Sequence, residues 1–207
     1  GEFEHKDSTG GEGRMTAGDV QWMKTGSGII HSEMPAMKEG KLHGFQLWIN
    51  MPASLKMSKP EYHYIDANEM SMHHDEDKKI KVIAGKFENA EGPIKKHNVE
   101  PIFFDVELKQ NKQFSFSVPK SHNSFVYLVD GRIKIGNIPH DNIEGSKLVL
   151  LTNGNSLKVS AETNAKFLLI AGEPIGERIA RGGPFVMNTK SEIIQAINDY
   201  NNGTFVR

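Results

Sequence analysis

Apolar and polar residues alternate in short runs along most of this chain, and a glycine or a proline breaks the rhythm about every ten residues. "RMTAGDVQWMKTG" leads to "GIIHSEMP", and "LHGFQLWINMP" stops at Pro52. After a polar interval the pattern resumes in "IKVIAGKF", "PIFFDVELK", "FSFSVP", "SFVYLVDGRIKIG", "KLVLLTNG", "SLKVSAE" and "AKFLLIAGEP". Side chains on a strand alternate between faces, so each run has one face to bury, and many such runs in series predict an antiparallel sandwich or barrel. The fold class expected is all-β.

Residues 53–79 lose the alternation and become polar, which predicts a break between domains. The expected division is a first domain over 1–65, a linker over 66–79 and a second domain over 80–207. "AGDVQWMKTGSGIIHSEMP" and "NGNSLKVSAETNAKFLLIAGEP" share a loose pattern, read as a weak internal duplication with a second barrel in the later half. A single helix is expected in "TKSEIIQAINDYNNG". Ser191 or Thr189 is its N-cap, Ile193, Ile194 and Ile197 share a face, and Gly203 stops it.

Composition narrows the chemistry. The formal net charge is −1, which argues against direct nucleic-acid binding, and no apolar run is long enough for a membrane span. There is no cysteine, so thiolate sites and disulfides are excluded and a cytoplasmic setting is expected. Any transition-metal site must come from the nine histidines and from carboxylates. His31 and Glu33 are two apart in a strand-like run, so both face one way while Ser32 faces the other. Imidazole plus carboxylate suits iron(II), manganese, nickel or zinc. The spacing alone better fits a His31 bonded to backbone and a Glu33 meeting a surface lysine, because H-x-E is a common triplet. "MHHDEDKK", with His73 and His74, reads as a solvated charge run. "TGSG" and "NGNS" are not phosphate cradles, since neither leads into Lys-Ser/Thr and a helix. Phe3, Trp22, Met23 and Trp48 are candidates for a pocket lining or for core.

The run "GRMTAGDVQWMKTGSGIIHSEMP" closely resembles the pirin family of the cupin superfamily. "LHGFQLWINMP" with "PEY" at 60–62, "AGEPIGERIARGGPFVMNT" and "EIIQAINDYNNG" are similar to later blocks of that family, in order, over nearly the whole chain. The resemblance implies a bicupin, two β-barrels with one iron in the first, held by three histidines and a glutamate. His31 and Glu33 match the second pair of those ligands. The first pair, an H-x-H, has no counterpart in the sequence, and Gly1 is read as the glycine that closes that motif. The first barrel is therefore expected to be truncated at its start, and two ligands to bind iron weakly unless a partner chain supplies the strand. His5, on the opening strand, would come near the pair if that hairpin packs inward, but a surface or packing role is preferred for it. His122 stands at the degenerate counterpart in the second barrel, where Lys120 replaces a partner imidazole, so no metal is expected there. His43, His63, His97 and His140 show no ligand-like companions.

Three functions stay open at this point. The first is a quercetinase-type dioxygenase acting on a flavonol-like substrate, with His31 a ligand and Glu33 both a ligand and the catalytic base. The second is an iron-dependent regulatory partner of transcription factors or metabolic enzymes. The third is a metal-free remnant.

Overall fold

A computed structural model describes residues 1–95, 99–136 and 142–206. Five strands open the chain: β1 (Phe3–Asp7), β2 (Glu12–Met15), β3 (Val20–Lys24), β4 (His31–Pro35) and β5 (Glu61–Ile65). β1 lies between β2 and β4 in an antiparallel three-stranded sheet, and β3 pairs with β5 in an antiparallel ribbon. Asp7 closes the β1–β2 turn by accepting the backbone N–H groups of Thr9 and Gly11 at 2.7 and 3.1 Å. Gly11 has no side chain for a reason: a Cβ there sits 2.4 Å from an Asp7 carboxylate oxygen. At the far side of β4, Ser8 N–H donates to the Ile30 carbonyl at 2.8 Å and the Ser8 hydroxyl accepts the Ile30 N–H at 3.0 Å. The start of β4 is thereby pinned to the β1–β2 turn.

The glycines of "TGSG" serve backbone packing. Gly26 has φ +50°, and a Cβ on it lies 2.1 Å from the Ser58 carbonyl oxygen, which also accepts the Ser27 N–H at 2.8 Å. "LHGFQLWINMP" forms no strand, contrary to its alternation. Leu42, Phe45 and Trp48 there are about half exposed, at 46%, 48% and 54%. Alternation makes a segment competent for a ladder, but the ladder needs a neighbouring strand, and none pairs with it among the described residues.

The second unit, Glu69–Pro174, holds most of the strands. These are β6 (Ser71–His74), β7 (Lys78–Ala84), β8 (Lys86–Phe87), β9 (Ala90–Glu91), β10 (Ile102–Leu108), β11 (Gln113–Phe116), β12 (Asn123–Asp130), β13 (Arg132–Ile135), β14 (Ile143–Glu144), β15 (Lys147–Leu150), β16 (Leu157–Ala161) and β17 (Ala165–Gly172). They form a six-stranded sheet in the order β15-β12-β17-β10-β7-β6 and a four-stranded sheet in the order β11-β16-β13-β14, with β8 and β9 as a small hairpin. Both sheets contribute to one core. Phe104, Val106, Val126, Leu128, Phe167 and Leu169 come from the first and Phe114, Ile133 and Val159 from the second, all fully buried. Phe87, Phe104, Phe114, Phe116 and Phe167 interlock within it by stacked and edge-on contacts of 4.9–6.1 Å.

Two boundaries differ from the sequence expectation. The interval 66–79 is not a free connector: it carries β6 and the start of β7. β6 is the outer strand of its sheet, paired on one side only among the described residues, a position where polar and charged residues are common. The C-terminal segment, Ile175–Arg207, belongs with Gly1–Asn68 rather than with the second unit. It contains β18 (Ala180–Gly182), β19 (Phe185–Met187) and α1 (Lys190–Asn201). Lys56, almost fully buried, ties it in: its Nζ donates to Asn50 Oδ1 at 2.7 Å and to the Val186 carbonyl at 3.2 Å. Burial pushes that ammonium below its ordinary pKa, with Glu177 and Glu192 opposing. Thr189 caps α1 in a reciprocal capping box with Glu192. Only Ile193 of the expected apolar stripe is buried; Ile194 and Ile197 are 59% and 38% exposed. No described helix is long and apolar enough to cross a membrane.

Candidate metal centre

The site follows from one register. β1 and β4 run antiparallel with His5 opposite Glu33 and Asp7 opposite His31. Directly opposed residues share a face of a sheet, and residues two apart on a strand share it as well. Four chemically active side chains are therefore collected on one side of two strands. A ring nitrogen of His5, a ring nitrogen of His31 and a carboxylate oxygen of Glu33 all lie within 4.8 Å of one another. His31 Nδ1 is 3.8 Å from Glu33 Oε1, and the His5 and His31 ring centroids are 5.7 Å apart.

The three differ in exposure. The His5 side chain is fully buried, while those of His31 and Glu33 are 31% and 34% exposed. The cluster thus has a closed corner and an open side. His5 was expected at the surface or in packing, and the structure instead places it inside this group. Sequence alone ranks this placement second because the alternation of Phe3, His5 and Asp7 marks a face, whereas only the β1–β4 register says that this face meets His31 and Glu33.

Asp7 anchors the His5 ring. Its Oδ1 accepts the Thr9 N–H at 2.7 Å, the Thr9 hydroxyl at 2.6 Å and the Gly11 N–H at 3.1 Å, while Oδ2 is 3.0 Å from His5 Nε2. Burial alone raises its pKa, but the Thr9 hydroxyl, His5 and the two backbone N–H groups outweigh that and hold it at about 2. An ionised carboxylate only accepts, so the hydrogen bond between the two needs an N–H on His5 Nε2. His5 Nδ1 is buried with no hydrogen-bond partner. A carboxylate behind an imidazole whose other nitrogen is left free is the arrangement that orients metal-ligating histidines. Two imidazoles and a carboxylate without sulfur also form a donor set suited to a divalent first-row metal. The residues present therefore fit a metal ion.

Tyr62, on β5, lies flat against His5, with ring centroids 4.6 Å apart and planes at 12°. Its phenol pKa is raised, first by burial and then by the negative charges of Asp7 and Glu33, with Gln21 pulling slightly the other way. Phe3, Trp22 and Met23 are half-buried in the first unit, and Trp48 is exposed with the Arg181 guanidinium 5.5 Å from its ring centroid.

The remaining histidines do not join a comparable group. Among the described residues, His5, His31 and Glu33 are the one trio of His, Asp or Glu that converges in this way. His122 is buried with Nε2 3.2 Å from the Glu100 carbonyl and Nδ1 3.3 Å from the Ser121 hydroxyl, so both nitrogens are used in the fold. His73 is held between Asp75 (3.1 Å) and Glu88 (3.2 Å), on strand β6 rather than in a solvated run. Lys78, then His73 and the backbone N–H groups of Asp77 and Lys78, hold the Asp75 carboxyl well below the usual range against a smaller opposing effect of burial. His63 lies 3.6 Å from Glu61 and His43 stacks obliquely near Phe45. His97 and His140 lie outside the described residues.

Comparison with known proteins agrees with this architecture. Residues 1–49 match the model of the family described as pirin, and residues 103–206 match that of the pirin C-terminal cupin domain. The chain is 39% identical to a pirin-like protein of Caulobacter vibrioides over 99% of its own length and 74% of that protein. It is 36% identical to human pirin, covering 98% of this chain and 70% of that one. The crystal structure of a quercetin 2,3-dioxygenase from Acinetobacter baumannii superposes with a TM-score of 0.89 at 34% identity, covering 99% of this chain and 73% of that one. The β-rich architecture, the terminal helix and the matches across both parts of the chain leave one assignment: this is a cupin-fold protein, and it belongs to the pirin family.

Proposed function

We propose that the chain is a metal-dependent dioxygenase of the quercetinase type, with iron(II) held by His31 and Glu33 and a flavonol as the substrate class. One observation carries this reading: His31 and Glu33 converge to 3.8 Å on one face of β4 instead of diverging into solvent. The likeness to a structure named quercetin 2,3-dioxygenase supports the choice of reaction. Bound iron(II) supplies Lewis acidity and the one-electron chemistry that dioxygen requires.

The chain's own residues do the rest. His31 and Glu33 would hold the ion, and their partial exposure leaves a side open to a planar substrate. The buried His5, with the half-buried Tyr62 stacked on its ring, stands beside the pair. Glu33 would help hold the ion, and its carboxylate would also act as the base that takes the proton of the flavonol hydroxyl.

The test is spectrophotometric. The flavonol absorbance band is followed in air with the chain alone, with added iron(II), and with His31→Ala and Glu33→Gln. Decay that requires both iron and the intact pair supports the assignment. Equal decay rates in the two variants and the parent chain would refute it.

A further inference from the structure

We propose that Asn153 is a site of spontaneous covalent modification, losing its side-chain amide to attack by the Gly154 backbone nitrogen. The same dipeptide at Asn202 and Gly203 is protected by the end of α1.

An asparagine followed by glycine is the pair in which this reaction is easiest. Glycine has no side chain to crowd its own nitrogen, and its backbone turns freely. The step needs water and no other co-reactant. Gly154 gives up its amide proton, its nitrogen forms a bond to Asn153 Cγ, and the Cγ–Nδ2 bond breaks to release ammonia. Water then opens the resulting five-membered imide at either carbonyl, leaving aspartate or isoaspartate. Nothing is oxidised or reduced, and the loop gains one negative charge.

The sequence holds two Asn-Gly pairs, and all four residues are exposed. Exposure therefore does not separate them, but hydrogen bonding does. Asn153 and Gly154 lie in the loop from β15 to β16, where residues 152–156 are all exposed. Among the described residues, neither the Gly154 N–H nor the Asn153 side chain has a hydrogen-bond partner. A Cβ on Gly154 would meet nothing closer than 3.9 Å, so the space around its nitrogen is open. The attacking nitrogen and the amide carbon can meet without breaking any contact of the fold.

Asn202 and Gly203 are the opposite case. The Asn202 N–H donates to the Asn198 carbonyl at 2.9 Å, the Gly203 N–H to the Tyr200 carbonyl at 3.2 Å, and the Thr204 N–H to the Asp199 carbonyl at 2.9 Å. Gly203 takes the left-handed φ of +72° with which helices commonly end. The nitrogen that would attack is committed to the helix, and three consecutive hydrogen bonds fix the backbone on either side of it. Reaction there first requires this turn to open.

The test holds the folded chain in mildly alkaline buffer, samples it over time and maps tryptic peptides 148–158 and 191–207 by mass spectrometry. Each lost amide adds about one dalton, and fragment ions assign it to its asparagine. Asn153 is expected to react at least about 10-fold faster than Asn202, the factor set by breaking about one hydrogen bond. Its products should include isoaspartate as well as aspartate. In urea, where the helix end is gone, the two rates should converge. Gly154→Pro removes the attacking N–H and should abolish isoaspartate at position 153. Gly154→Ala crowds the same nitrogen and should slow the reaction, which keeps the test open if proline disturbs the loop. An unreactive Asn153, an Asn202 that reacts as fast in the folded chain, a difference that persists in urea, or undiminished isoaspartate in both Gly154 variants would each overturn the proposal.

Discussion

His5 and Asp7 occupy the same face of β1, and their side chains meet with Nε2 3.0 Å from Oδ2 in a place closed to solvent. Asp7 simultaneously holds the turn that follows, through Thr9 and Gly11. One carboxylate therefore couples the stability of the first hairpin to the orientation of the buried imidazole.

That coupling predicts acid sensitivity. The Asp7 pKa is lowered from 3.8 to about 2 in the folded chain. A depressed carboxyl contributes stability that is present above its unfolded value and lost as pH falls through its folded value. The loss is expected between about pH 4 and pH 2 and amounts to about 2 kcal/mol. Urea unfolding midpoints measured across that window should fall steeply for the parent chain and less for Asp7→Asn. Parallel curves for the two proteins contradict this.

Asp19 and Tyr64 give a second, optical prediction. Asp19 Oδ2 accepts the Tyr64 hydroxyl at 2.9 Å and the Thr16 N–H at 2.6 Å, and Oδ1 accepts the Ala67 N–H at 2.9 Å. The hydrogen bond to Asp19 comes first among the effects that push the Tyr64 phenol up to about 12, ahead of burial and neighbouring negative charge. Ultraviolet titration of tyrosinate should show a component near pH 12 that is absent in Tyr64→Phe and shifts down toward 10 in Asp19→Asn. A component unmoved by Asp19→Asn excludes the assignment.

The helix cap predicts a modest thermodynamic effect. Thr189 accepts the Glu192 N–H, and Glu192 accepts the Thr189 N–H at 2.7 Å. Replacing Thr189 by Ala should cost about 1 kcal/mol, read as a lower unfolding midpoint in denaturant. No change would mean that α1 is held by its packing on β18 and β19 alone.

Gly26→Ala should be more damaging than its size suggests. The residue has positive φ and its new Cβ meets a backbone carbonyl at 2.1 Å, which cannot swing aside like a side chain. A loss of more than about 1 kcal/mol is expected in thermal unfolding. Gly13→Ala, whose Cβ meets nothing within 4 Å, is the control and should be near neutral.

Much of this was legible in the residues. Period-two alternation announces the strands of the second unit because their faces divide cleanly into core and solvent, as in β10 and β16. Thr189 and Gly203 bracket the helix for local reasons that act within a few residues. What sequence leaves out is pairing. His31 and Glu33 lie on one strand, so spacing alone puts them on one face, but His5 joins them only through a register set between β1 and β4. The same gap explains the misread of 66–79, whose polarity marks an outer strand as well as a linker. "LHGFQLWINMP" is the converse case, a strand pattern without a ladder. The return of Ile175–Arg207 to the first unit depends on contacts such as Lys56 with Val186, 130 residues apart, which no local pattern encodes.

The most direct measurement is the metal content of the chain after loading with iron(II) under anaerobic conditions and desalting, alongside a His31→Ala/Glu33→Ala double variant. One iron per parent chain and none in the double variant is the predicted result. Equal iron in both proteins, or none in the parent, contradicts a metal centre on the face shared by β1 and β4.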